Sequence, residues 1–387
     1  MSFKNRAKYY IEKCTRGFLQ VPGYFVPVKK NRILFYSFTG SQYSCSPKYI
    51  SEYLSQKYPG QFDIIWAVRS RDKQQLLPCN VKSVLYQSPA FFYYHLSAHF
   101  IISNIYPFHL LNKKPGQVMI DTWHGGGAYK KAGKDLACSG SRKQFDRTMD
   151  FYKKNISVFL SSSQLFTEYF IHGGMNFYGQ ILNTGLPRND IFFLEEEKKQ
   201  EIRREVLKKL GITEDTRLIL YAPTWRSQEE YQEFDLDVSA LTKAAASRFG
   251  GDWKVLMRGH HFSHLNCSEG AVDASTYPDM QQLLVACSML ISDYSSSVWD
   301  YSLTGKPCFL YTFDLEKYDR ERSFYVDIHK WGFPVCETFS QLVSAIISFD
   351  QEQFSRNMES HYQMLGGYDN GHACKKVAQF IIGEVNK

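Results

Sequence analysis

The feature that most constrains the fold of this chain is an alternation of short apolar runs with helix-like stretches. Residues 32–38 have the composition of a buried strand, Pro47 suits the first turn of the next helix, and 62–68 resembles a second strand. Strands and helices that alternate in this way build a parallel sheet covered on both faces. Further strands are predicted at 81–85, 99–102, 117–121 and 157–161.

The same pattern repeats in the second half. A charged helix at 195–210 ends at Gly211, and 217–222 has the apolar character of a strand. Further strands are predicted at 253–257, 288–292 and 307–310, with helices at 237–247, 279–286, 296–304, 338–348 and 371–384. We therefore predict two Rossmann-like α/β domains, 33–188 and 189–387. Facing domains of this class usually bind ligands beyond the carboxyl ends of their strands.

Cysteine usage and hydropathy exclude several classes of protein. The nine cysteines are scattered and include no C-x-x-C pair, which is typical of reduced thiols in the cytoplasm. No apolar run approaches the roughly 18–20 residues of a membrane span. The N-terminus also lacks the continuous apolar core of a secretory signal. We expect a protein with no metal or other cofactor.

The net charge lies entirely in residues 1–32. Eight Lys and Arg side chains stand there against Glu12 alone and account for the whole formal charge of +7. Apolar residues recur at helical spacing: Phe3, Ala7, Tyr10, Cys14 and Phe18. This pattern predicts a basic amphipathic helix on an anionic membrane surface. The alternative is a helix packed on the protein's own body, and no nucleic-acid-binding module follows it.

A predicted strand runs directly into His124 and three glycines. Three consecutive glycines cost backbone entropy, which a tight turn or the close approach of a substrate would justify. At the carboxyl end of a strand, His124 could act as a general base. The alternative is a loop with a buried, hydrogen-bonded histidine.

Two strand ends in the second half carry basic side chains. After Pro223, Thr224 and Arg226 can turn toward the cleft, although an ordinary strand exit would look the same. Arg258 and His260 follow the next strand, where they could bind phosphate through charge-assisted hydrogen bonds. His264 lies four residues beyond His260, but zinc is disfavoured because no third ligand is evident.

A third strand, near 289–292, is followed by a run of hydroxyl side chains. Ser295 and Ser296 are expected to open the next helix, whose free N–H groups and hydroxyls would form an anion site. Ordinary helix capping explains one serine but not the whole run.

Together these segments resemble the CDP-glycerol glycerophosphotransferase family of teichoic-acid and capsule synthesis. The motifs are Thr-Trp-His-Gly at 122–125, Tyr-Ala-Pro-Thr at 221–224, Arg-x-His at 258–260 and Asp-Tyr-Ser-Ser at 293–296. Segments 43–49 and 185–190 also look like family elements. The likeness spans roughly residues 33–385, and the order and spacing of the motifs are what make it specific.

The resemblance implies a GT-B fold, with two facing Rossmann-like domains and the donor held mainly by the second. It implies transfer of glycerol phosphate from CDP-glycerol to a hydroxyl of a polyprenyl-linked glycan at the cytoplasmic face of the bacterial membrane. CMP is released, and no tightly bound metal is implied. The implied site residues are His124 and His260 for catalysis, Thr224, Arg226, Arg258, Asp293, Ser295 and Ser296 for the donor, and Gly125, Gly126, Lys130 and Lys131 on the acceptor side.

One departure from the family pattern leaves the acceptor and the transferred polyol open. The family commonly has Thr-Pro-Leu-Lys after the His-Gly pair, whereas this chain has Gly-Gly-Ala-Tyr at 126–129. A CDP-ribitol ribitolphosphotransferase is the nearest alternative. A nucleotide-sugar glycosyltransferase would share the fold but often uses a Glu that is missing between Ala271 and Lys306. A non-enzymatic membrane- or glycan-binding protein is the third alternative.

Overall fold

The computed structural model forms two compact units. It describes residues 15, 17, 18, 20, 21 and 23–387, except for 76, 79, 80, 128, 137–141, 225–235 and 260–268. At 142–145 it describes the backbone alone. Unit 1 comprises the chain up to His124, Ala132–Asp190 and Tyr368–Lys387, and unit 2 comprises Gly125–Lys131 and Ile191–Gly367. The predicted amphipathic helix falls largely on residues 1–14, outside the described part.

Each unit contains one sheet in which all strands run parallel. Unit 1 has the strand order β3-β2-β1-β4-β5-β6-β7, and unit 2 has the order β10-β9-β8-β11-β12-β13. The strands are β1 (Lys29–Tyr36), β2 (Asp63–Val68), β3 (Lys82–Leu85), β4 (Ala98–Ser103), β5 (Val118–Asp121), β6 (Val158–Ser161), β7 (Gln180–Asn183), β8 (Arg217–Tyr221), β9 (Trp253–Met257), β10 (Val272–Asp273), β11 (Met289–Ser292), β12 (Cys308–Tyr311) and β13 (Val335–Cys336). The central strands are almost wholly buried, as helices on both faces require.

Helices alternate with these strands along the chain. They are α1 (Cys45–Lys57), α2 (Arg71–Gln74), α3 (Pro89–Ser97), α4 (Arg142–Asn155), α5 (Glu196–Leu210), α6 (Val238–Phe249), α7 (Met280–Ala286), α8 (Ser297–Ser302), α9 (Leu315–Glu321), α10 (Phe339–Ile347), α11 (Gln351–Leu365) and α12 (Ala373–Val385). A π-helix spans Phe166–Gly174. Local sequence explains several ends: Ser88 caps α3, and Gly211 ends α5 in the left-handed conformation. No helix in the described part of the chain is both long and apolar enough to cross a bilayer.

The two sheets share one strand order. Counting from the first strand of each unit, the order is 3-2-1-4-5-6, with a seventh strand added at the end in unit 1, so the first strand pairs with the fourth. In such sheets the connections depart in opposite directions on either side of that pair and leave a crevice at its carboxyl end. The crevice of unit 1 lies beyond Tyr36 and Ser103, and that of unit 2 lies beyond Tyr221 and Ser292.

The predicted α/β class with two parallel sheets is confirmed. Most predicted elements match the observed ones within one to three residues at each end. The predictions lacked the helices α9 and α11 and the strands β7, β10 and β13. Strands β10 and β13 have two residues each, and β7 is half exposed, so none of the three shows a buried apolar run.

The C-terminal segment was predicted as part of the second domain, but it belongs to unit 1. Helix α12 contributes Val377, Ala378 and Ile381 to the hydrophobic cluster that contains Ile33 and Trp66. An amphipathic helix shows in sequence that it must bury one face, but not which sheet it covers. The predicted range 189–387 is therefore wrong for residues 368–387.

Two carboxylates hold the C-terminal segment on unit 1. The Asp190 side chain accepts hydrogen bonds from the first two backbone N–H groups of α12, those of Ala373 and Cys374. Asp369 accepts the N–H of Leu186 at 2.8 Å. Gly185 has a φ of +79°, and a Cβ there would lie 2.8 Å from the Cα of Asp369. The family-like segment 185–190 thus has a structural role.

Candidate functional site

The His124 side chain lies at the crevice of unit 1 and is exposed to solvent. Its Nδ1 is 2.8 Å from the backbone carbonyl oxygen of Asn104, the residue that follows β4. Because a carbonyl oxygen can only accept, Nδ1 carries the proton and donates it. In the neutral ring, Nε2 is then the unprotonated nitrogen. This is the tautomer that a general base requires.

Three loops meet around the His124 imidazole. The Phe38 ring lies 5.6 Å from it, between centroids, and the Trp123 ring stacks on it at 4.5 Å. Phe38 follows β1, and its backbone N–H donates to Oδ1 of Asn104 at 2.9 Å. The carboxyl ends of β1, β4 and β5 are therefore joined around one histidine.

The backbone immediately before His124 is strained. Trp123 has a φ of +49°, a left-handed conformation that bulky residues rarely adopt. Its N–H donates to a carboxylate oxygen of Asp121 at 2.7 Å, and its ring packs against Phe170 at 4.9 Å. A strained residue held in this way is more common at functional sites than elsewhere.

Asp121 is fully buried at the end of β5. Burial raises the pKa of its carboxyl group to about 7, although hydrogen bonds from the Tyr152 hydroxyl and the Trp123 N–H favour the charged form. The sequence-based predictions included neither Asp121 nor Asn104. Their position at or just after a strand end is a weak signal of a functional role in the sequence. Their closeness to the His124 segment depends on the order of the strands in the sheet.

The glycine-rich segment after His124 groups with unit 2. Tyr129 is buried there, with its hydroxyl 2.8 Å from Nε2 of His361 and its ring stacked 4.1 Å from that of Trp331. Burial lowers the pKa of His361 to about 4, so its ring is neutral. Gly127 has a φ of +81°, and a Cβ there would lie 2.8 Å from the Tyr129 ring. Gly127 is therefore a glycine because any larger side chain would collide with the packed Tyr129 ring.

The residues predicted on the acceptor side follow the same segment. Lys130 pairs with Phe324 in an isolated antiparallel bridge, and the N–H of Lys131 donates to the carbonyl of Ser323. Gly125, Gly126, Lys130 and Lys131 were expected in the N-terminal domain, but they belong to unit 2. The reason is Tyr129, whose apolar ring anchors the segment in the unit 2 core.

At the crevice of unit 2, the Asp293 side chain holds Thr224, which lies shortly after β8. The backbone N–H and the hydroxyl of Thr224 both donate to the buried Asp293 carboxylate, at 2.9 and 2.6 Å. Thr224 follows β8 and Asp293 follows β11, so this contact joins the two strand ends on either side of the crevice. Asp293 therefore positions Thr224.

Arg258 lies at the carboxyl end of β9, as predicted. Its Nη1 donates to the carbonyl oxygens of Ala274 and Tyr277, at 3.1 and 2.7 Å. Burial lowers the pKa of this guanidinium to about 10, so it stays charged at neutral pH. Arg258 thus stabilises the loop after β10 through hydrogen bonds and places a positive charge at this edge of the sheet.

Helix α8 begins with the predicted serines, but their roles differ. The Ser295 hydroxyl accepts hydrogen bonds from the N–H and the hydroxyl of Ser297, at 3.3 and 3.0 Å. Ser296 occupies the capping position without a capping hydrogen bond from its side chain. Ser295 therefore stabilises the start of the helix, and the Ser296 hydroxyl does not.

Two predicted site residues lie outside the described part of the chain. Arg226 falls in 225–235, and His260 falls in 260–268 together with His264. Among the side chains that are described, no three His, Cys, Asp or Glu residues are grouped as metal ligands.

The chain is an α/β protein with two doubly wound, Rossmann-like units. One unit has a histidine at its crevice, and the other has hydroxyl groups and an arginine. The chain belongs to the CDP-glycerol:poly(glycerophosphate) glycerophosphotransferase family, whose sequence profile matches residues 21–383. This confirms the resemblance seen in the motifs.

Named relatives agree with this family. The chain is 30% identical over 382 residues to the teichoic acid poly(glycerol phosphate) polymerase of Staphylococcus epidermidis, covering 93% of this chain and 52% of that protein. It thus spans about half the length of that relative. It is 29% identical over 368 residues to the teichoic acid glycerol-phosphate transferase of Staphylococcus aureus, covering 91% of this chain and 93% of the relative.

Solved structures give the same likeness. The chain matches the wall teichoic acid polymerase TagF with a TM-score of 0.84 and 27% identity, over 99% of this chain and 96% of that one. A further TagF structure comes from a variant soaked with CDPG.

We predict that D121N flattens the pH dependence of unit 1 stability. The Asp121 pKa is about 7 in the folded protein, against about 3.9 in an unfolded chain, so between these values the folded state binds more protons. The stability from this group is therefore fully present below about pH 4 and is lost as the pH rises through 7. The contribution of Asp121 to the free energy of unfolding falls by at most about 1.4 kcal/mol per pH unit. Urea unfolding of the wild type and of D121N from pH 4 to 8 measures the free energy of unfolding at each pH. Parallel curves for the two proteins would contradict the prediction.

Proposed function

We propose that this protein transfers glycerol phosphate from CDP-glycerol to a hydroxyl of a lipid-linked glycan, releasing CMP, in teichoic-acid-type polymer synthesis. The observation that carries the proposal is the hydrogen bond from His124 Nδ1 to the Asn104 carbonyl, which makes Nε2 the unprotonated nitrogen of the neutral ring. Family membership and the CDPG soak of a TagF variant support the choice of donor.

In the proposed reaction, His124 acts as the general base. Nε2 takes the proton of the acceptor hydroxyl, and the oxygen attacks the phosphorus nearest the glycerol. The bond from that phosphorus to the bridging oxygen breaks, and its electron pair leaves with CMP. In phosphoryl transfer most of the rate enhancement comes from positioning and from stabilising the phosphate charge.

The donor diphosphate is assigned to the crevice of unit 2. Arg258 supplies a positive charge there, and the Ser296 hydroxyl can donate a hydrogen bond to a phosphate oxygen. Thr224 lines the crevice, with its hydroxyl proton donated to Asp293. Asp293 acts by positioning Thr224, and Ser295 by stabilising the start of α8. Arg226 and His260 are assigned to the same site from the family motifs alone.

A donor panel tests the reaction class. The wild-type protein is incubated with a lipid-linked glycan acceptor and CDP-glycerol, CDP-ribitol or a UDP-sugar, with CMP and UDP release as the readout. With a β-³²P-labelled CDP donor, a phosphotransferase moves the label into the product. UDP release with sugar transfer would instead identify a glycosyltransferase. Release of neither nucleotide would favour a binding protein.

In the same assay, we expect H124A to lower turnover by at least about 100-fold, the low end for loss of a general base. The fold should survive because the His124 side chain is exposed. H329A removes an exposed histidine from unit 2 and serves as the matched control, with turnover like the wild type. A folded H124A protein with normal turnover would refute the assignment.

For the donor, we expect S296A to weaken CDP-glycerol binding by about two- to tenfold, the effect of one lost hydrogen bond. The substitution leaves the helix intact because the Ser296 side chain makes no capping bond. S302A is the control, since its hydroxyl donates to the Trp299 carbonyl at the other end of α8. Calorimetry gives both affinities, and equal values for S296A and the wild type would remove Ser296 from the donor site.

We also propose that the protein contacts the anionic cytoplasmic surface of the bacterial membrane through the segment before β1. Phe18 and Phe25 are 80% and 86% exposed, and Val21 and Tyr24 are exposed beside them. Lys114 holds this segment by donating from Nζ to the carbonyls of Gly23 and Val26. Large apolar side chains fixed in this exposed position favour a partner surface over packing on the protein itself.

The charge of the segment suits an anionic partner. Lys29 and Lys30 are exposed at the start of β1, directly after the apolar side chains. Each basic side chain near an anionic bilayer contributes about 1 kcal/mol of attraction, which salt screens.

Membrane contact predicts that the double variant F18S/F25S partitions at least tenfold less onto phosphatidylglycerol vesicles, because two large apolar side chains no longer enter the interface. Y178S replaces a 71% exposed aromatic elsewhere in unit 1 and should partition like the wild type. Sedimentation with vesicles at low and high salt measures the effect. Unchanged partitioning of the double variant would exclude this segment as the contact.

A further inference from the structure

Beside the crevice of unit 1 lies a buried hydrogen-bond donor that no residue of the described chain accepts. The Asn104 side chain has no solvent exposure, and its Oδ1 accepts the N–H of Phe38 at 2.9 Å. A backbone N–H can only donate, so this contact fixes which end of the amide is oxygen. Within the described part of the chain, the Nδ2 group at the other end has no hydrogen-bond partner.

A second buried asparagine of unit 1 shows how such a side chain is normally satisfied. Asn155 is equally buried; its Oδ1 accepts the N–H of Lys113 at 2.6 Å, and its Nδ2 donates to the carbonyl of Phe151 at 2.7 Å. Leaving a buried donor unpaired costs about 1–3 kcal/mol, and most native structures avoid it. Asn104 is one of several buried side chains in the described part of the chain that have an unpartnered polar atom.

The position of Asn104 in the fold explains its unpaired donor. It is the first residue after β4, at the crevice where sheets of this strand order bind their ligands. Its own carbonyl accepts the His124 hydrogen bond, and its side chain holds Phe38, whose ring lies against the imidazole. The unused N–H₂ group is thus on the residue that orients the proposed base.

We propose that Asn104 Nδ2 donates a hydrogen bond to an oxygen of the acceptor substrate, next to the hydroxyl that His124 deprotonates. This rests on the proposed function. An amide N–H₂ is a neutral donor without a lone pair, so it binds hydroxyl, ether or phosphate oxygens and does not compete for the hydroxyl proton. Asn104 would therefore select the acceptor rather than take part in the proton transfer.

N104D tests the proposal because it keeps the acceptor atom for Phe38 and replaces only the donor. We expect the KM for the acceptor to rise about tenfold or more, since a substrate oxygen loses its partner in a buried site. The KM for CDP-glycerol should stay at the wild-type value. N155D is the matched control; it breaks a hydrogen bond inside the protein, so its Tm falls while the acceptor KM of the folded enzyme is unchanged.

The pH dependence separates recognition from a purely structural effect. A buried carboxyl group is more easily protonated than an exposed one and then donates through O–H. Relative to the wild type at the same pH, the acceptor KM of N104D should therefore improve as the pH falls from 8 to 6. If N104D does not fold, the acceptor KM of N104A, which removes both ends of the amide, takes its place.

The outcomes distinguish the two proposals. If the wild type releases no CMP from CDP-glycerol, the proposed function fails before any variant is compared. If the wild type is active and N104D has the wild-type acceptor KM, the role of Asn104 alone is overturned, and Nδ2 is satisfied by water. A rise in KM that is equal for acceptor and donor would likewise overturn it.

Discussion

The pairing of the first strand of each sheet with its fourth is the constraint on which both candidate sites depend. Because the connections depart in opposite directions on either side of this pair, the carboxyl edge stays open there. In unit 1 the opening is lined by Phe38, Asn104 and His124. In unit 2 the same position is occupied by Thr224 and Asp293. Side chains far apart in sequence are thereby brought together at the same position of two similar sheets.

Three energetically unfavourable features of unit 1 lie together at this edge. Trp123 is held in a left-handed conformation, Asp121 is a carboxyl group without exposure, and Asn104 has a donor that the described protein does not satisfy. Each of them contacts His124 or the residue before it, directly or through one hydrogen bond. Local strain and incomplete hydrogen bonding are tolerated where they fix a reactive group, and the surrounding aromatic packing compensates for them.

Sequence patterns predicted the buried strands and the strand-end histidine because both are local signals. An apolar run between turn residues specifies a strand, and the residue after it must lie at an edge of the sheet. Asn104 and Asp121 were missed because their contacts with the His124 segment depend on which strands become neighbours. Helix α12 was misplaced for a related reason, since its apolar face fits either sheet. Gly127 was recognised as unusual, but its cause, the Tyr129 ring, is visible only in three dimensions.

The place of helix α12 in unit 1 also determines the order in which the protein can fold during synthesis. Asp190 and the start of α12, which it caps, are 183 residues apart in the chain. At about 5–20 residues per second, a ribosome needs roughly ten to forty seconds to make that stretch. Throughout this time Ile33 and Trp66 lack the α12 side chains that complete their cluster, while residues 191–367 of unit 2 emerge. The unit whose synthesis begins first is thus the last to be completed, and its apolar surface is the one that chaperones would meet.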